Sequence, residues 1–230
     1  MDSHHHDIIR LAWSRHFDLG DSAFRPGVRH VHSDENATSV TFVRLGDSSA
    51  LIGPASALTA AATMSDDELT GGRLRELASG RTSGPIVLSY ADDAGTTIDR
   101  HDPLISHERA HVDSLESACA PDDVIAADLV HKQSWFTLLG DDAPVDAAAP
   151  LASAGYAEWQ GLLGDVGVLT APDARRQGNG QVVSRLATNE AFDEGMIPQW
   201  RCHADNVVAR RLGARLGFEE WGVLVSIEVG

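Results

Sequence analysis

Apolar and polar residues alternate along this chain in two rhythms, one strand-like and one helical, and their order sketches the fold. Residues 39–52, SVTFVRLGDSSALI, read as two β-rich runs around the turn Gly46-Asp47-Ser48-Ser49. Residues 55–64 and 65–79 predict helices. The second opens on the capping box Ser65-Asp66-Asp67-Glu68 and continues through Leu69, Leu74 and Leu77. PIVLSY at 85–90 predicts a short buried strand, and the turn-rich stretch Ala91 to Pro103 marks a boundary. Helices are expected over 105–119 and 121–129.

From Ser134 the rhythm becomes strand after strand. Residues 135–139 give one, Gly140-Asp141-Asp142 turns the chain, 144–155 give another, and 156–170 a longer one or a pair. After the loop Ala171 to Gly180 a helix is predicted from Gln181 to Glu194. Its face is Val183, Leu186, Ala187 and Ala191, and Gly195 sits where a left-handed cap belongs. A strand over 197–203 leads to a helix over 206–216, where Val208, Leu212 and Leu216 recur, Asn206 is the N-cap and Gly217 the C-terminal cap. Trp221 to Val229 alternates as a last strand. Meander, helix, strand, helix, strand predicts an α/β fold with a mixed sheet and helices on its faces. The division expected is a region of unassigned role over 1–100 and a second domain over 101–230.

Composition narrows the classes. The 230 residues are 43% hydrophobic and 23% charged, a globular balance. No apolar run approaches the roughly 20 residues that span a bilayer, and Met1 to Arg10 lacks an apolar signal core. Cys119 and Cys202 allow at most one bridge, so a cytoplasmic, bacterial-type protein is expected. The net charge of −16 argues against a general nucleic-acid binder. Arg175-Arg176 and Arg210-Arg211 are local exceptions that would suit one anionic ligand or a solvated helix surface.

The segment with most chemistry is VLTAPDARRQGNG, residues 168–180: a strand, a proline-marked turn and a glycine-bearing loop feeding a helix. A helix start offers unpaired N–H groups and a positive dipole end, and glycine lets an anion approach the backbone. It is no P-loop, because Gln181-Val182 follows Gly180; it is no dinucleotide fingerprint, because Val183 fills the third glycine position. It resembles the acyl-CoA loop of the GNAT (N-acetyltransferase) superfamily, Arg/Gln-x-x-Gly-x-Gly/Ala, through Arg175, Gly178 and Gly180, with Pro172 before them. Asn206-x-x-Ala209-x-x-Leu212 and the ending Leu216-Gly217-Phe218 resemble that family's later helix.

The resemblance covers about residues 130–230 and implies a GNAT-like acyl-CoA N-acyltransferase fold, with 1–100 an extra or degenerate N-terminal α/β region. It implies acetyl-CoA as cosubstrate, its pyrophosphate on the N–H groups of Gln177, Gly178, Asn179, Gly180 and Gln181 beside Arg175 or Arg176. The pantetheine arm would pair with the strand end at Leu169 and Thr170, and the N–H near Leu169 would polarise the thioester. Asn206 would contact the cofactor or the amine side. The implied acceptor is a small-molecule or peptide amine, with no nucleic acid, membrane or metal partner; a homodimer is compatible with this reading.

The family's tyrosine after the helix leucine is here Gly213, which leaves the acid open among Cys202, His203, Tyr156 and none. Asp165 lies near the place of the base, although a turn residue beside Gly164 is the plainer reading. The gap at Gly213 keeps a catalytically silent CoA-binding module as the alternative. His107-Glu108-Arg109-Ala110-His111 matches H-E-x-x-H, but Arg109 would bring a cation to the metal, and a solvated helix face is the reading preferred among 11 histidines. His30-x-His32 reads as a surface strand.

Overall fold

A computed structural model of the chain describes residues 1–76, 80–99, 101–102, 104–141 and 148–229. Two compact units interleave along the sequence. One joins Asp2–Ser89 to Arg201–Arg210 and Glu219–Gly230; the other joins Tyr90–Trp200 to Arg211–Phe218 and Met1. The expected division at residue 100 follows chain order, whereas the last strand belongs with the N-terminal residues.

The N-terminal unit opens with α1 (Ser3–His16), which the pattern of apolar positions had not announced. Asp2 caps it by accepting from the His5 N–H at 2.9 Å, and Ile9, Ala12 and Trp13 are buried beneath it. The run His4-His5-His6 is therefore part of a folded helix, and the His6 ring stacks on Trp221 at 4.3 Å. Strand β1 (Arg29–Ser33) carries His30 and His32, as expected of a surface strand, and runs parallel to β3 (Ser48–Gly53). Strand β2 (Ser39–Leu45) pairs antiparallel with β3 across the predicted turn at Gly46. A Cβ there would lie 2.9 Å from the Trp221 indole nitrogen, so the close approach requires glycine.

Helices α2 (Ala55–Ala61) and α3 (Asp66–Thr70) follow, the second with both halves of the Ser65–Glu68 capping box formed. The predicted continuation to 79 is instead a 3-10 turn at Arg73–Glu76, and Leu77 lies outside the described residues. Strand β4 (Thr82–Tyr90) completes this run. Val40, Phe42, Leu51, Leu69, Leu74 and Ile227 form the apolar core that holds the helices to the strands.

The second unit contains β5 (Ile105–Ser106), α4 (Arg109–Ala118), α5 (Pro121–Ala127), β6 (Ser134–Leu139), β7 (Pro150–Trp159), β8 (Leu163–Thr170) and α6 (Asn179–Asp193). The division between units runs through β9 (Ile197–His203) and α7 (Val207–Leu216). The strand order here is β9-β8-β7-β6-β5, parallel for β8 with β9 and antiparallel elsewhere. The last strand, β10 (Glu219–Glu228), pairs antiparallel with β2, giving the N-terminal unit the order β1-β3-β2-β10-β4.

Residues 156–170 divide at Gln160 and Gly161, both in the left-handed region at φ 58 and 72, and Tyr156–Trp159 continue the preceding strand β7. Gly155 is a strand residue facing Gly167 in register, and the expected strand positions 144–147 lie outside the described residues. Alternate residues of β8 face opposite layers. Leu169 packs with Val112, Leu115, Ala127 and Leu129 of the α4–α5 layer. Gly164 lies against Ala191 of α6, where a Cβ would come within 2.7 Å. The predicted face of α6, Val183, Leu186, Ala187 and Ala191, is buried throughout.

Candidate acyl-CoA site

Strand β8 ends at Thr170, and Pro172–Ala174 make one 3-10 turn before the chain enters α6. Arg176 and Gly178 both take positive φ, 62 and 91 degrees. For Gly178 this conformation is permitted by the missing Cβ; for Arg176 it stores roughly 1–2 kcal/mol of strain in the loop. Two amide side chains brace the turn: Gln177 donates to the Asp173 carbonyl at 2.9 Å and Asn179 to the Ala174 carbonyl at 3.0 Å.

The glycines do different work. A Cβ at Gly180 would lie 2.8 Å from the Thr170 hydroxyl oxygen, so Gly180 lets the first turn of α6 rest on the end of β8. Nothing lies within 4 Å of a Cβ at Gly178, which leaves the loop open on that side. Gly178 caps α6 without a side-chain acceptor, and its carbonyl takes the N–H groups of Gln181 and Val182 at 2.9 and 3.1 Å. Among the described residues, the backbone N–H groups of Arg176, Gln177, Gly178, Asn179 and Gly180 have no protein acceptor. A run of unpaired donors at the positive end of a 15-residue helix is a candidate anion cradle. Of the expected set, Gln181 is the member whose N–H is already used.

Arg175 is turned away from that cradle. Its guanidinium donates to the Thr170 carbonyl at 3.2 Å and to Asp123 at 2.9 Å, so it straps the loop to β8 and α5. Cys119 lies on the same carbonyl, Sγ to oxygen 3.8 Å. Burial pushes the Cys119 thiol up, and the neighbouring Arg175 offsets part of that.

The strand edge corrects one expectation by a residue. The Ala171 N–H donates to the Leu151 carbonyl at 2.9 Å, on the β7 side. N–H groups two apart on a strand point the same way, so the Leu169 N–H also faces β7 and is spent in that ladder. Those of Val168 and Thr170 face the opposite edge. There the β8–β9 register runs from Leu163–Ile197 to Val166–Trp200, so Val168 lies past the last paired rung. The N–H groups beside Leu169 that face this unpaired edge are those of Val168 and Thr170.

Asp165 is a buried strand residue and not a turn. Its carboxylate takes the Lys132 ammonium at 2.6 Å, with the Gln199 amide at 3.4 Å. The lysine stem lies over the glycine pair: a Cβ at Gly155 would be 3.0 Å from Lys132 Cβ, and one at Gly167 2.9 Å from its Cε. Sequence reasoning missed this partner, although two glycines inside β-rich runs are the signal for something crossing close to a strand.

Gly213 is buried, and a Cβ there would sit 3.3 Å from the Trp200 ring, so this indole takes the space in which a side chain at 213 would begin. Asn206 accepts from the Ala209 N–H at 3.0 Å and thus caps α7, as its position predicted. Asn206, Cys202 and His203 all belong to the N-terminal unit, while Tyr156 is buried on β7 opposite Val166. The two histidines of the H-E-x-x-H segment do not share a helix face. His107 precedes α4 and contacts the Trp135 carbonyl at 2.9 Å, while His111 bonds Ser106 at 2.7 Å. Arg109 between them engages Asp113 and Glu116.

The fold is similar to that of a GNAT-family protein from Novosphingobium aromaticivorans, at TM-score 0.50 and 20% identity over 65% of this chain and 66% of that one. This chain has the GNAT fold. It also overlaps an acetyltransferase of the GNAT family from Colwellia psychrerythraea, at TM-score 0.49 and 17% identity over 71% of this chain. It spans 66% and 62% of the lengths of those two structures. No family sequence profile matches the chain, and no curated protein matches it. Within the GNAT fold, the β8 edge and the α6 start form the part of the second unit that carries the unpaired donors.

Proposed function

We propose that this GNAT-fold protein is an acyl-CoA-dependent N-acyltransferase that passes acetyl from acetyl-CoA to a primary amine by direct attack in a ternary complex. The observation that carries the reading is the row of unpartnered N–H groups from Arg176 to Gly180, opening α6 directly after a strand whose Val168 N–H lies beyond its last paired rung. A diphosphate fits such a row, since it needs several donors and no room for a side chain at Gly178. Pantetheine amides would extend along the outward groups of Val168 and Thr170, with the thioester carbonyl polarised by the Val168 N–H. Arg175 holds the loop in shape, and Arg176 adds charge at its rim.

The amine attacks as the free base. Because the Asp165 carboxylate is committed to Lys132, its proton is passed to water. Cys202 is not required, so Cys202→Ala is expected to keep most activity and initial-rate plots to intersect. The test is calorimetric binding of acetyl-CoA together with thiol release over a panel of amines, for the wild type and Gly178→Val. Binding and amine-dependent thiol release, both lost in the variant while the fold survives, support the proposal. Binding without release for any amine would leave a silent CoA-binding module, and no binding would overturn the site.

A further inference from the structure

Trp200 is 3% exposed, and its indole nitrogen is buried without an acceptor. An unpaired buried donor is costly, roughly 1–3 kcal/mol, so a donor kept in that condition is a place to look for a partner that arrives later. Its position is informative. Trp200 forms the last rung of the β8–β9 pairing, opposite Val166. The Val168 N–H is two residues further along, roughly 7 Å at strand rise. The edge of the indole that bears the nitrogen faces α7 at Gly213, with Cδ1 and Nε1 at 3.3 and 3.4 Å from where a Cβ would be. The neighbouring Leu212 reaches within 3.9 Å of the Cβ position of Gly180, at the start of α6. The indole thus packs on α7 at Gly213, and the preceding residue of that helix reaches the start of α6, all inside the second unit.

We infer that the Trp200 indole N–H donates a hydrogen bond to the sulfur of coenzyme A as it departs. The inference rests on the acyltransferase reading above. In the step, the amine nitrogen forms a bond to the acetyl carbon and the carbon–sulfur bond breaks. The electron pair goes to sulfur, which leaves as a thiolate. Indole keeps its proton, being a donor that does not ionise, and the proton lost by the amine goes to water. The thiolate is stabilised as an anion and takes its proton later from solvent. A side chain at 213 would begin 3.3 Å from the ring that supplies the donor, so the ring would have to give by a few tenths of an ångström.

The test uses coenzyme A itself and no acceptor amine. The thiol pKa of enzyme-bound coenzyme A is read from ultraviolet thiolate absorbance, for the wild type and Trp200→Phe, with affinity measured in parallel by calorimetry. The wild type is expected to hold the bound thiol about one pKa unit below its free value, a tenfold gain in ionisation. Trp200→Phe keeps a ring against Gly213 and is expected to lose that shift with affinity nearly unchanged, and to lower kcat about tenfold while KM for acetyl-CoA stays put. An unshifted thiol in the wild type overturns the inference without any variant, as does an equal shift in both proteins. Failure of coenzyme A to bind the wild type sinks the acyltransferase reading itself, a result distinct from binding with an unshifted thiol.

Discussion

Replacing Lys132 by methionine removes one charge from a pair that the fold has buried and left the other in place. The ammonium and the Asp165 carboxylate stand 2.6 Å apart with side chains 3% and 8% exposed. Methionine reproduces the unbranched stem over Gly155 and Gly167, so the steric change is small and the electrostatic one dominates. A buried ion deprived of its partner costs about 3–5 kcal/mol, whereas replacing both partners by apolar groups is near neutral. Lys132→Met should therefore lower Tm by roughly 6–20 °C for a chain of this size. Lys132→Met with Asp165→Leu should recover most of that loss. Urea unfolding of the four members of the cycle, followed by far-UV dichroism, gives the coupling directly. The same double variant tests the chemistry, since thiol release should persist within a few-fold. A cost below about 1 kcal/mol for the single change would show the pair to be hydrated and weak. Loss of turnover in a folded double variant would return Asp165 to the role of base.

Three further outcomes are expected. Arg175→Ala and Asp123→Ala should both weaken acetyl-CoA binding, because each cuts the strap that holds the loop; tighter binding in Asp123→Ala would mean that Arg175 contacts phosphate directly. Gly180→Val should harm both stability and affinity, since its first added carbon already meets Thr170 at 2.8 Å, and a thermal melt equal to wild type would contradict that contact. The Arg210 guanidinium holds the Glu220 carboxyl below its usual range, so the pair stabilises the fold above the ordinary glutamate pKa, and the contribution is lost as pH falls through the lowered one. Thermal unfolding across acidic pH should show Glu220→Gln losing less stability than wild type over that window.

The periodic elements were legible because burial and period agree in them. The α6 face and the Ser65–Glu68, Asn206 and Gly217 caps follow from local chemistry alone. The glycine loop was legible for the same reason, being a local signal whose spacing sets the conformation. Partners distant in sequence were not. Lys132 with Asp165, Arg175 with Asp123 and Trp200 with Gly213 are joined by register and layer packing, which no window of ten residues contains. The one-residue shift from Leu169 to Val168 has the same origin, since strand alternation tells which side a residue takes only after one hydrogen bond, here Ala171 to Leu151, fixes the phase. Of the face expected for α7, Leu216 is buried but Val208 is 80% exposed, and Gly213 is buried in addition, because the Trp200 indole meets the helix there.

The central claim is that the Arg176 to Gly180 amides receive the diphosphate of acetyl-CoA, and hydrogen exchange of those amides reads it most directly. Without ligand they have no protein acceptor and should exchange quickly. Saturating acetyl-CoA should slow Arg176, Gln177, Gly178, Asn179 and Gly180 together with Val168, and leave Leu169, already bonded in the β7 ladder, as it was. Protection that appears elsewhere while these amides exchange as fast as before would contradict the account.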